Sequence, residues 1–336
     1  SPLDVTNSGD YSLIVSNAFG DATSSVVSLT VIPTPNYPYA QEVLADHPLG
    51  YWPLDEPSGT VAHDYLAGNN GFYSHTTLGQ PGYNLLAAHT AARFGIPSSV
   101  NSYAGGIAVD FTTAGSAAFS IEAWVKGKPQ TSACGLVAKG AAGSEQFSLD
   151  CGGAGNAFRF LVRDASGLDH PSGATLAPDG AWHHLVGVCD QDHSQVLLYV
   201  DGMPAAPADI TLGSGILGST NAVSFGSRQS GTNLYDLQFI GYMEEVAIYN
   251  YPLSSNQVQA HYSVVANPPT PVITAAVAWQ GTNLLLSWSG SAAAYEVQMT
   301  TNLLAPNWQT LAGPLGTTNF LFAPTNDAAF YRILAQ

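Results

Sequence analysis

The chain has 336 residues, with 8 Lys and Arg against 24 Asp and Glu and a formal charge of −16. That excess of negative charge repels phosphate backbones and anionic lipid, so nucleic-acid and membrane-surface partners are excluded. The length exceeds what a single core usually fills, and more than one domain is expected. Only 10% of residues are charged, whereas there are 34 glycines and 21 prolines beside abundant Ser, Thr and Asn. Short strands joined by many turns have this composition, so the expected class is all-β. No run approaches the roughly 20 apolar residues of a spanning helix, so no membrane insertion is expected. Low lysine and high Thr, Asn and Gly favour an extracellular setting, and the absence of any Asn-x-Ser/Thr sequon favours a bacterial source. The start at Ser1, without a signal peptide, reads as a piece of a longer precursor.

Two proline-rich stretches, IPTPNYP at residues 32–38 and NPPTP at 267–271, punctuate the chain. They predict an N-terminal hairpin over 1–32, a large central domain over 39–265 and a small domain over 272–336. In the first, SGDYSLIVSNAFGDATSSVVSLTV alternates as two strands about a turn at Asn17–Gly20. It resembles the last two strands of an immunoglobulin-like domain, with Asp10-Tyr11 at the tyrosine corner.

In the central segment, FSIEAWV puts Phe119, Ile121, Ala123 and Val125 on one strand face and Ser120, Glu122 and Trp124 on the other. Cys134 and Cys151 are symmetric about the turn Ala141–Ser144, so a regular hairpin sets them opposite each other, as a cross-strand disulfide or as two buried thiols. Cys189 is expected in the core. WHHLVGVCD and QVLLYVDG predict a hairpin ending in the turn Asp201-Gly202. GYMEEVAIYNYPLSSNQVQAHY predicts a strand, a proline break and a helix capped by Ser254 or Ser255. In the last segment NLLLSWS, AYEVQMT, NFLFAP and AFYRILAQ read as strands, and Trp288, Tyr295 and Tyr331 give a fibronectin type III-like pattern.

The blocks FSIEAWV, WHHLVGVCD, QVLLYVDG and GYMEEVAIYNYPLSSNQVQAHY, preceded by YWPLDEPSGT and AHDYLAGNNGFY, closely resemble the laminin G-like, concanavalin A-like superfamily. The resemblance implies two antiparallel sheets forming a jelly roll, flanked by the N-terminal hairpin and a small C-terminal β-sandwich. It does not imply one function, because the fold serves lectins, adhesins, spacers and glycosidases. It also implies a structural calcium ion, held at positions that here are Asp64 and Glu244, although Met243-Glu244 stands where Ile-Asp is common.

No two-carboxylate glycosidase motif, HExxH, GxSxG or P-loop is present. Glu122 could face a groove, with Glu245 as a conceivable partner on another strand, against a structural role for Glu122. His183 and His184 are neighbours on a strand and point to opposite faces, so they share no metal. Trp124 and Trp182 are read as core. Aromatic faces and polar groups that suit a sugar occur in turn-rich segments, at Tyr65, Tyr73, Tyr103, Arg228, Asn233, Tyr235 and Asp236. The leading expectation is therefore a non-catalytic, secreted carbohydrate-binding or adhesion module whose partner is a polysaccharide or glycan. The alternatives are a surface-fibre subunit that joins copies of itself or other surface proteins by strand addition, and a divergent glycosidase or lyase of the same fold.

Overall fold

The computed structural model describes residues 5–29, 31–32, 35–66, 68–83, 90–96, 100–111, 113–130, 133–153, 155–266, 274–290, 292–325 and 329–335. The chain divides into two compact units, Ser1–Gln80 with Ala91–Tyr262, and Pro81–Thr90 with Ser263–Gln336. None of the described helices is long and apolar enough to cross a membrane.

The first unit opens with β1 (Gly9–Tyr11), β2 (Ile14–Asn17), β3 (Gly20–Thr23) and β4 (Val27–Leu29), paired β1 with β4 and β2 with β3. Tyr11 donates its hydroxyl to the Asn7 carbonyl at 2.7 Å, the bond a tyrosine corner makes. Next comes helix α1 (Pro38–Ala45), at the end of a stretch expected to be proline punctuation. Pro38 occupies the helix start, where its missing N–H costs nothing and its fixed φ is already helical.

The strands that follow are β5 (Gly50–Trp52), β6 (Val61–Ala62), β7 (Gly71–Ser74), β8 (Thr77–Pro81), β9 (Thr90–Phe94) and β10 (Tyr103–Ile107). After them come β11 (Ala118–Gly127), β12 (Gly135–Lys139), β13 (Phe147–Asp150), β14 (Arg159–Arg163), β15 (Asp169–Gly173), β16 (Trp182–Asp190) and β17 (Gln195–Val200). The series ends with β18 (Met203–Pro204), β19 (Ala208–Asp209), β20 (Val223–Phe225), β21 (Ser227–Arg228), β22 (Leu237–Gln238), β23 (Gly241–Tyr249) and helix α2 (Ser255–Ala266). Among the described residues, one sheet runs β15-β14-β13-β12-β20-β10-β7-β6, with β21 and β22 joined beside β12. The other runs β18-β17-β16-β11-β23-β9-β8, with β5 on β23 and β19 on β17.

The two sheets enclose one core. Phe119, Ile121, Ala123 and Val125 from β11 meet Phe147 and Leu149 of β13, Phe160 and Val162 of β14 and Phe225 of β20. The sandwich expected from the sequence is present, and the alternation read in FSIEAWV is the one observed. Contact between the sheets is close enough that a Cβ on Gly187 of β16 would lie 2.3 Å from the Phe160 ring. The β16–β17 hairpin closes as predicted, with Ser194 at φ 55°, and the next turn carries Asp201 at φ 52° and Gly202 at φ 76°. Two successive left-handed residues make the type I′ turn that suits the strand twist.

Helix α2 begins at the predicted cap. Ser254 Oγ accepts from Gln257 N at 3.3 Å, and Gln257 Oε1 accepts from Ser254 N at 2.9 Å. This is a reciprocal capping box. Trp124 is buried, as expected. Trp182, read as core, is half-buried instead, because it begins β16 where the strand leaves the sandwich.

The second unit contains β24 (Thr274–Gln280), β25 (Asn283–Ser289), β26 (Tyr295–Thr300), β27 (Gln309–Leu315), β28 (Asn319–Phe322) and β29 (Phe330–Ala335). They form two three-stranded sheets, β24-β25-β28 and β27-β26-β29, about Leu284, Leu286, Trp288, Tyr295 and Val297. Strands β24 and β27 were not read from the sequence. TAAVAWQ and QTLAGPL do not alternate cleanly between apolar and polar residues.

Candidate functional site

On the ten-stranded sheet, register decides which side chains face outward. Tyr103 and Gly105 share one face of β10, and Phe72 of β7 stands opposite Gly105. Ala104 and its partner Tyr73 face the core. Each outward ring packs against a glycine. A Cβ on Gly105 would be 2.9 Å from the Tyr103 ring, and one on Gly106 would be 2.7 Å from the Phe72 ring. Gly106 also has φ +78°, a conformation that penalises any side chain.

Tyr235 reaches over from the 229–236 loop and stacks on Tyr103, with centroids 3.9 Å apart and planes 12° apart. Phe72 meets Tyr103 edge-on at 5.8 Å. The result is a three-ring platform in which Phe72 is 47% exposed and Tyr235 only 7%. Burial first, then the neighbouring Tyr103, pushes the Tyr235 phenol upward in pKa, so it stays a neutral hydroxyl.

The same segment that carries Tyr235 also carries Arg228, paired across β21 and β22 with Leu237. Arg228 NH1 lies 3.1 Å from Glu145 Oε1 and 3.4 Å from Asp150 Oδ2. Asp150 takes Arg159 in a fork, Nε at 3.0 Å and NH2 at 2.8 Å. Arg163 NH2 adds a contact to Glu145 at 3.2 Å, and its NH1 reaches Asp169 at 2.8 Å. Three of the 8 basic residues of a strongly acidic chain thus gather around three carboxylates. The Nε groups of Arg163 and Arg228 are buried and have no hydrogen-bond partner among the described residues. Side-chain bonds hold the loop above: Asn233 N donates to Gln229 Oε1 at 2.7 Å, and Ser230 N to Asp236 Oδ1 at 3.2 Å.

The structure therefore brings Tyr103, Tyr235 and Arg228 to one sheet face, under a loop that carries Asn233 and Asp236. Tyr73 is a correction. It points into the core and donates to Glu56 Oε2 at 2.5 Å, while its neighbour Phe72, which the sequence reading passed over, is the outward ring. Strand alternation permits only one of two adjacent aromatics on a face. Tyr65 is half-buried, held by its N–H on the Tyr51 carbonyl at 2.7 Å.

Asp64 organises a turn. Its Oδ1 accepts from Tyr51 N at 3.0 Å and Leu66 N at 3.1 Å, and its Oδ2 from Asn69 N at 3.1 Å and Asn69 Nδ2 at 3.2 Å. Glu244 is buried on β23, opposite Trp124 of β11. A calcium ion needs six to eight oxygens. A carboxylate already holding four N–H donors does not fit it. Among the described residues no group of three or more His, Cys, Asp or Glu is placed to hold a metal. Chelation should leave the thermal midpoint unchanged in differential scanning calorimetry; a drop of several degrees, restored by calcium, would refute this reading of Asp64.

Glu122 and Glu245 do not open on a groove. Glu122 accepts from Tyr39 Oη and lies 2.9 Å from His261 Nδ1, beneath α1 and α2. Glu245 sits in a bulge of β23 at φ 59° and accepts from Tyr37 Oη at 2.7 Å and from Tyr51 Oη. Both are fully buried. His183 and His184 point to opposite faces as expected, the first to Asp201 at 2.8 Å and the second to the Glu122 cluster.

Among curated proteins none matches the sequence. Solved structures that resemble it include a Trypanosoma rangeli sialidase complex, at 16% identity and TM-score 0.47 over 66% of this chain and 33% of that one. The binding domain of botulinum neurotoxin serotype D aligns at 9% identity and TM-score 0.48, over 83% of this chain and 82% of that one. A Limulus polyphemus pentraxin aligns at 12% identity and TM-score 0.36, over 46% and 72%. The chain spans about a third of the length of the sialidase. Residues 101–259 match the family described as the Concanavalin A-like lectin/glucanases superfamily. With its two-sheet sandwich, the central domain is a member of that superfamily.

Proposed function

We propose that the outer face of the ten-stranded sheet binds carbohydrate without cleaving it. The observation that carries this is the cluster of Phe72, Tyr103 and Tyr235, in which Tyr103 packs against Gly105, Phe72 against Gly106, and Tyr235 stacks on Tyr103. The exposed ring of Phe72 matches the apolar side of a sugar ring, and the exposed polar side chains of Asn233 and Asp236 suit its hydroxyls. Adding a Cβ at either glycine would lift a ring. A non-catalytic role is supported by the carboxylates nearby. Glu145 and Asp150 are both held by arginines rather than facing an open cleft. The composition, low in lysine and rich in turn residues, supports an extracellular setting for such a module.

A glycan array followed by titration calorimetry tests the reading, with dissociation constants expected between micromolar and millimolar. Phe72→Ala with Tyr103→Ala should weaken binding about 10- to 100-fold, from roughly 0.5–1.5 kcal/mol per stacked ring plus lost contact area. Circular dichroism should show the fold retained. Affinity unchanged in the double variant, or no glycan bound at millimolar concentration, defeats the proposal.

A further inference from the structure

We infer that Cys134 and Cys151 close as a structural disulfide across the β12–β13 hairpin, leaving Cys189 as a free thiol. Gly135 pairs directly with Asp150, so Cys134 and Cys151 are the next partners outward, joined by Cys151 N donating to the Cys134 carbonyl at 3.2 Å. Alternation fixes their direction. Ser148 and Asp150 face outward, Phe147 and Leu149 face the core, and both cysteines are core residues with no exposed surface. Hydrogen-bonded antiparallel partners have Cα atoms about 5.5 Å apart, within the span a disulfide bridges without moving backbone. Both thiols are reduced in this structure. Cys189 is held apart on β16, its thiol donating to the Ala117 carbonyl at 3.8 Å.

The pair also sits where a cross-link has the most to hold. Asp150, which grips Arg159 and Arg228, immediately precedes Cys151. Gly135, which follows Cys134, packs so tightly on Arg228 that a Cβ would lie 2.5 Å from its backbone nitrogen. The bond would therefore tie together the two strand ends that support the arginine cluster.

The chemistry is a thiol–disulfide exchange with a small disulfide such as oxidised glutathione. One cysteine thiolate attacks it, releasing one thiol. The second cysteine then displaces the other thiol from the mixed disulfide, so the protein loses two hydrogens and two electrons and the glutathione gains them. In the folded, reduced chain this is slow. The Cys151 thiol is held protonated by its hydrogen bond with Cys134 and by burial, and a protonated, buried thiol is a poor nucleophile. The bond must form while the hairpin is still accessible during folding, after which the core shields it from reductant.

The test is to fold the full chain from the denatured, reduced state in a glutathione redox buffer, then alkylate it in denaturant and map the peptides by mass spectrometry. The expected result is a Cys134–Cys151 linked peptide and a single alkylated residue, Cys189. A parallel sample folded in reductant should take up label on all three cysteines and melt about 5–10 °C lower, the scale expected for opening a loop of this size. Full labelling after oxidative folding, or a bond that includes Cys189, would overturn the inference.

Discussion

Replacing Glu122 by alanine is expected to destabilise the central domain by about 3–5 kcal/mol, because it strands a buried cation. Glu122 is the fully buried hub of a polar cluster. His261 of α2 contacts it at 2.9 Å and, through its other ring nitrogen, reaches Asp46 at 3.0 Å. Tyr39 and Tyr249 also donate to it, and His184 lies 3.5 Å away. The cluster pins both helices to the outer face of the nine-stranded sheet. The pH dependence follows from the same contacts. Burial lowers the His261 pKa, but Glu122 and then Asp46 outweigh it and raise the value from 6.5 to about 9. Burial raises that of Glu122, but His261 and His184 outweigh it and hold the carboxyl well below the usual range.

A raised histidine contributes stability that is complete below its unfolded value near 6.5 and is lost as pH rises through about 9. A depressed carboxylate contributes above its unfolded value near 4.5 and loses it on acidification. Stability from this pair should therefore peak between those two unfolded values. On the alkaline side it should fall by about 3 kcal/mol across pH 6.5 to 9, at roughly 1.4 kcal/mol per pKa unit. Urea unfolding across pH checks this. Glu122→Gln should flatten the alkaline slope even where the fold survives, and a slope equal to that of the parent chain would show that His261 is not the titrating group.

Gly226→Ala is expected to cost about 2–5 kcal/mol and to disturb the arginine cluster. Gly226 joins β20 to β21 with φ +70°, and an added Cβ would lie 2.3 Å from the Phe94 ring. The left-handed backbone alone costs about 1–2 kcal/mol for an L side chain, and overpacking a filled core adds about 1–3 kcal/mol. Gly143→Ala separates the two effects. It has nearly the same backbone, at φ +78°, but nothing lies within 4 Å of its Cβ. Chemical denaturation should therefore show a loss of only about 1–2 kcal/mol there. Equal losses at both sites would mean that the Phe94 contact is relieved by a small shift.

Much of the architecture was legible in the chain. The alternation of Phe119, Ile121, Ala123 and Val125, the turn Asp201-Gly202 and the cap Ser254 appear where local chemistry places them. Helix α1 was not legible, since IPTPNYP reads as punctuation and only the start at Pro38 betrays a helix. With that helix went Tyr39, Asp46 and the partner of His261. Most residues of the candidate site were legible too: Tyr103, Arg228, Asn233, Tyr235 and Asp236 stand out as aromatic or polar residues in turn-rich segments. Phe72 did not, because GFY contains two aromatics and only pairing with β10 decides which one faces out.

Composition and alternation by themselves determined that this is an all-β chain, because turn frequency and a period of two are local properties; the concanavalin A-like sandwich was implied by the resemblance of its sequence blocks. Which residues share a site was decided only by tertiary structure. Strand order sets β14 beside β13, and β22 with its partner β21 beside β12, and so collects Arg159, Arg163 and Arg228 around Glu145 and Asp150 from positions as far as 83 residues apart. Glu122 likewise acquires His261 from 139 residues away. No local signal carries such distances, because the free energy that selects these neighbours comes from burying both faces of a sheet, and a strand read alone shows only one covering for one face.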